Sequence, residues 1–111
     1  MTTQTDLDTA VKVVAKKLLG VTVDYEGSFE PSVWMDSTVY PLRWLYETYE
    51  GMGAILEALD KHGDAYQLHS YNRLPENRVT IWKNGGGMSY AKADILSHAV
   101  LLAAYEAVKG E

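Results

Sequence analysis

Two periodicities run through the chain. Leu7, Ala10, Val11, Val14 and Leu18 recur at the three- and four-residue spacing of a helix that buries one stripe. Thr5 or Asp6 stands where its N-cap is expected, Lys16 and Lys17 fall in its last turn, and Gly20 is the expected stop. Val21, Val23 and Tyr25 then alternate with Thr22 and Asp24, the two-residue period of a strand, and Glu26-Gly27 reads as the turn that ends it. Ser28 to Pro31 is a loop, and Val33-Trp34-Met35 is either a short second strand or a packed extended segment. Pro41 biases Tyr40 toward extended backbone, after which Leu42 to Tyr46 begins a helix or makes one separate turn.

Helical spacing returns with Met52, Ile55, Leu56 and Leu59, predicting a second helix from about Thr48 to His62 with Gly63 in place to end it. Gly51 and Gly53 lie inside that helix, where each weakens it by about 1 kcal/mol relative to alanine, so it must lean on packing. Ala65 to Tyr71 and Arg78 to Lys83 are alternating and aromatic, and the polar connection between them suits an antiparallel hairpin. Asn84-Gly85-Gly86-Gly87 is expected to lead from the hairpin into a final helix with Ser89 as N-cap.

That last helix is expected to organise the molecule. From Tyr90 to Val108 the chain is nearly continuously apolar, and its alanines and leucines are good helix formers, which predicts a helix of about 20 residues and roughly 30 Å. Asp94, Ser97, His98, Glu106 and Lys109 leave it only a narrow wet stripe. It should therefore be covered on more than one side, and a C2 homodimer that buries part of its second apolar face is the expected assembly. The element order is helix, strand, an optional strand, helix, strand, strand, helix. The fold class expected is α+β, one domain over residues 1–111, with a three- to four-stranded, mainly antiparallel sheet covered by helices.

Composition narrows the function. At 111 residues with 47% hydrophobic and 23% charged positions, the chain has the make-up of a folded globular protein. A net charge of -5 argues against general nucleic-acid binding, which needs a clustered excess of cations. Without cysteine there is no disulfide, thiolate metal site or cysteine nucleophile. The first residues lack the basic start and apolar core of a signal peptide, and the apolar run ending at Val108 is too short and too interrupted to span a bilayer. A cytoplasmic location and no membrane partner are expected.

Four stretches occur in order: Ala15-Lys16-Lys17-Leu18-Leu19-Gly20 running into a strand, a middle helix ending Leu56-Glu57-Ala58-Leu59-Asp60-Lys61-His62-Gly63, the strand Val79-Thr80-Ile81-Trp82, and the closing helix around Ala93-Asp94-Ile95-Leu96-Ser97-His98-Ala99. On these the chain resembles the phage ABA-sandwich domain of small bacteriophage and prophage proteins. The resemblance implies a helix-sheet-helix sandwich, a phage or prophage origin and hence the host cytoplasm, and it supplies no established catalytic residues.

Chemical motifs are sparse. Ser89-Tyr90-Ala91-Lys92 satisfies S-x-x-K at an expected helix start, but an N-cap serine followed by an exposed lysine accounts for it. Gly85-Gly86-Gly87 between a strand and a helix has the outline of an anion loop, with Gly85, Gly86 and Lys92 as candidates, although it lacks a phosphate-loop ending. His62, His69 and His98 show no metal-ligand spacing, and no cofactor is expected. The aromatics stand out, with eight tyrosines and three tryptophans. Trp34, Arg43, Trp44 and Tyr46 are candidate binding residues in one crowded stretch, and Tyr71 and Arg73 join Tyr66, His69 and Trp82 as a second group from the hairpin. Core packing of those rings predicts the same composition.

The function expected is that of a non-enzymatic phage or prophage accessory protein that binds a host or phage protein through an aromatic-rich surface, with modulation of a host process or defence as one role. A binder that sequesters an anionic nucleotide-like ligand between aromatic faces, arginines and the glycine loop is the alternative. An enzyme ranks third, since no catalytic constellation assembles.

Overall fold

A computed structural model describes residues 4–24, 31–35, 37–70 and 76–110. The elements in chain order are α1 (Gln4–Lys17), β1 (Val23–Asp24), β2 (Ser32–Met35), β3 (Thr38–Pro41), α2 (Trp44–Glu47), α3 (Tyr49–Lys61), β4 (Ala65–Ser70), β5 (Asn77–Trp82), β6 (Met88–Ala93) and α4 (Leu96–Val108). The fold is α+β in the expected order. Its strands are divided between two three-stranded antiparallel sheets, β1-β2-β3 and β4-β5-β6.

The first helix buries Leu7, Ala10, Val11 and Val14, the stripe that its spacing predicts. Thr5 and Asp6 are helical residues of α1 instead of its cap. Gly20 adopts φ +67 just past the end of α1 and Gly63 adopts φ +79 after α3, the left-handed backbone at which helices commonly stop. The segment Leu42 to Tyr46 does make a separate turn: α2 ends at Thr48, whose extended backbone begins α3. Thr48 works in both directions, because its hydroxyl donates to the carbonyl of Trp44 at 2.8 Å and accepts from the Gly51 amide at 3.0 Å.

The last third of the chain departs from expectation. The glycine turn leads into β6, not into a helix, and the helix is correspondingly shorter, Leu96–Val108 instead of Tyr90–Val108. Ser89 is therefore a strand residue, and the N-cap position of α4 is Ile95, which offers no side-chain cap. The strand wins over helix propensity because its small inward residues, Ala91 and Ala93, let α4 approach closely, and Val79 and Ile81 of β5 beside them are fully buried. The two residues between β6 and α4 are held by Asn77, whose amide donates to the carbonyl of Asp94 at 2.9 Å.

Core placement is as expected for α4, with its wet stripe narrower still. Ala99, Val100, Leu101, Ala103 and Ala104 have no exposed surface, and the helix packs on α1, α2, α3, β5 and β6 of the same copy. Ser97 belongs to this core instead of to the polar stripe: only 8% exposed, it donates from Oγ to the carbonyl of Tyr46 at 2.6 Å. Most of α4 is covered within one copy, and Leu96, Leu102 and Tyr105 remain partly exposed.

The helices that pack on β4-β5-β6 do so through the face bearing Val79, Ile81, Ala91 and Ala93. Strand alternation sends Gln67, His69, Arg78, Thr80, Trp82, Met88, Tyr90 and Lys92 to the opposite face. Among the described residues no helix covers that side. The helix-sheet-helix sandwich implied by the family resemblance is thus a two-layer arrangement over this sheet.

Candidate functional site

The aromatic stretch from Trp34 to Tyr49 does not converge. In β2 and β3, Val33 is opposite Tyr40 and Trp34 is opposite Val39, so the two pairs occupy opposite faces of their sheet. Val33 is buried and Tyr40 stacks on Trp44 with ring centroids 4.0 Å apart, while Trp34 is 53% exposed on the other side. Arg43 lies on the surface beside Glu47, with Nε 3.8 Å from the carboxylate.

Tyr46, expected as a surface anchor, is instead a core residue with 2% exposure. Placed on the inner side of a one-turn helix, its ring meets His98 edge-on at 5.5 Å, and its hydroxyl accepts from Gln4 at 2.7 Å. Burial raises its phenol above the ordinary 10.0, against the Gln4 bond and with the help of the Asp8 and Glu47 carboxylates. Burial also lowers His98 from 6.5, with Glu47 opposing. Beside Tyr46, between α1 and α2, lies a groove of about 330 Å³. Asp8, Lys12, Arg43 and Glu47 line it with both signs of charge, which selects no one ligand class.

The glycine loop is the turn of the β5–β6 hairpin. Lys83 donates its amide to the carbonyl of Gly87 at 3.0 Å, and Gly86 donates to the carbonyl of Lys83 at 3.1 Å. No helix begins behind the loop, so Gly85 and Gly86 lack the positive helix end that an anion site requires. Lys92 lies six residues further along an extended strand, roughly 20 Å from Gly86. The S-x-x-K reading fails on the same geometry: Ser89 points toward α4 and Lys92 points to the open face. Tyr71 and Arg73 lie outside the described residues. Among the described residues expected to hold a nucleotide, Arg78 lies near the far end of β5 from the glycine loop.

What the fold does assemble is the open face of β4-β5-β6. Trp82 lies directly across from Met88, and Tyr90 lies across from Thr80 two pairs further on. These three large side chains are 41%, 65% and 44% exposed in that order. Polar and charged side chains border them. His69 is opposite Arg78, Arg78 is opposite Lys92, and Glu76 contacts both, 3.9 Å from Arg78 and 3.8 Å from Lys92. Lys92 also sits over the Tyr90 ring, 5.8 Å from its centroid. Trp82 was legible as a hairpin aromatic, with its exposure left open between a stacking face and cross-strand packing. Met88 and Tyr90 were hidden by the helical reading of their segment, although Met88, Tyr90 and Lys92 alternating with Ser89, Ala91 and Ala93 is a strand period.

The described residues contain no group of three or more His, Cys, Asp or Glu suited to a metal ion, and no helix long and apolar enough to cross a membrane. The arrangement is that of a small α+β protein whose assembled surface presents Trp82, Met88 and Tyr90 beside Arg78 and Lys92. Its fold is similar to a crystallographically determined phage protein from Bacillus cereus ATCC 14579, with a TM-score of 0.70 and 15% identity over 97% of each chain. No family model matches the sequence, and no curated protein matches it.

Proposed function

We propose that this is a non-enzymatic accessory protein of phage or prophage origin that works in the cytoplasm of the host bacterium by binding a host or phage protein. The observation that carries the reading is the exposed Trp82, Met88 and Tyr90 cluster on the helix-free face of β4-β5-β6. Tryptophan, tyrosine and arginine dominate contact energetics where proteins meet, and methionine adapts to irregular partner surfaces. A chain of net charge -5 that puts Arg78 and Lys92 beside this cluster favours a partner with an apolar centre and an acidic rim. The similarity in fold to a phage protein supports the setting. Modulation of a host process or defence is the role such a binder would serve.

Photo-crosslinking in lysate of a phage-infected bacterium tests the reading, with the reactive residue at Thr80 on the open face or at Glu106 on α4. One protein should be captured from Thr80 and not from Glu106, and Trp82→Ala or Tyr90→Ala should abolish its capture while Trp34→Ala should not. Capture that is indifferent to Trp82 and Tyr90, or recovery of single-stranded nucleic acid in place of a protein, would overturn it.

A further inference from the structure

β6 is an edge strand, and its hydrogen-bonding pattern can be read from the hairpin. Lys83 and Gly87 are bonded across the turn, so in the alternating antiparallel ladder the bonded pairs that follow are Ile81 with Ser89, Val79 with Ala91 and Asn77 with Ala93. The intervening residues, Met88, Tyr90 and Lys92, turn their N–H and C=O groups away from β5. Their backbone makes no bond to another element among the described residues. The same three residues put their side chains on the open face.

An unpaired edge this long is a template for another strand, and most proteins blunt it with proline, a bulge or several charges. β6 has no proline and one charge, Lys92. We propose that β6 pairs antiparallel with β6 of a second copy about a two-fold axis through Tyr90, making one continuous six-stranded sheet. Centring on Tyr90 brings all three outward-facing residues into bonded pairs: Tyr90 bonds its counterpart, and Met88 of each copy bonds Lys92 of the other. Lysine then faces methionine, and the like-charge opposition that would follow from centring on Lys92 is avoided.

Beyond Met88 the chain enters the β5–β6 turn, where Gly85, Gly86 and Gly87 have no side chains to obstruct a second copy. Ile95 is 53% exposed and borders a shallow pocket shared with Tyr49, itself 80% exposed. Pairing would place the two Trp82–Tyr90 clusters on one side of a doubled sheet. The inference concerns the strand edge and holds whether or not the open face binds a partner protein.

Sedimentation velocity on the full chain across micromolar concentrations tests it. The wild type should be dimeric. Tyr90→Pro removes an edge-facing N–H and no bond of the β5–β6 ladder, so it should give a folded monomer by circular dichroism. Two substitutions at the exposed position 88 read the register itself. Met88→Glu places a carboxylate opposite each Lys92 and should tighten the dimer, whereas Met88→Lys should loosen it, by about threefold to thirtyfold in dissociation constant each way. Amide exchange at Tyr90 should slow as concentration rises. A wild type that stays monomeric, or a dimer that ignores the sign of the charge at position 88, overturns the proposal.

Discussion

Two glycines two residues apart in α3 should answer the same substitution with opposite signs. At Gly53 an added Cβ meets nothing within 4 Å, so Gly53→Ala should simply gain the helix propensity of alanine, about 1 kcal/mol. At Gly51 the same atom would lie 2.6 Å from the Cα of Leu45 and closer still to the carbonyl oxygen of Trp44. Those are backbone atoms, and no rotamer change relieves them. The N-terminus of α3 and the single turn of α2 would have to move apart, dislodging Leu45, which is fully buried. Overpacking of this kind costs about 1–3 kcal/mol, and rigid backbone puts it at the upper end. After the propensity gain, Gly51→Ala should lose roughly 2 kcal/mol, leaving the two variants about 3 kcal/mol apart. With a urea slope of about 1–3 kcal/mol per molar, their unfolding midpoints should differ by about 1 to 3 M. If Gly51→Ala is as stable as Gly53→Ala, α2 does not cross α3 at this contact, and the packing described for the 42–51 region is wrong.

Ser97→Ala should cost about 1–3 kcal/mol in the same assay, because it deprives the Tyr46 carbonyl of its buried donor; a neutral result would show that the carbonyl has another partner. Leu101→Ala should cost about 2–5 kcal/mol while leaving the sedimentation coefficient of the folded protein unchanged, since Leu101 is fully buried in one copy. A change of assembly there would return α4 to an interface. Burial lowers the folded-state pKa of His98 below 6.5, so the unfolded chain binds protons first as pH falls. Stability from this group is complete above that ordinary value and is lost as pH drops through it toward the lower folded value. His98→Gln should therefore flatten the decline in urea midpoint between about pH 7 and pH 5. An unchanged slope would mean that His98 titrates alike in both states.

How much of this was legible without the fold follows the range of the forces involved. The first helix and its glycine stop, the α3 stripe that ends at Gly63, and the β4–β5 pairing are set by residues within a few positions of one another, so the sequence determined them. It also determined that the segment around Leu101 must be core, since no other stretch is as uniformly apolar.

The boundary between β6 and α4 was decided by the tertiary structure. Alanine-rich residues 91–93 have helix propensity worth only tenths of a kcal/mol each, and pairing with β5 beneath α4 outweighs it. Exposure of the aromatics was decided in the same way. Tyr46 and Tyr90 are the same residue type in similarly aromatic surroundings, yet one is buried beneath Gln4 and His98 and the other faces solvent. What distinguishes them is which side of an element turns toward α4, and side is a property of packing between segments distant in the chain. The open face and free edge of β4-β5-β6 are likewise invisible in any local window, because they exist only where no other part of the described chain comes to rest.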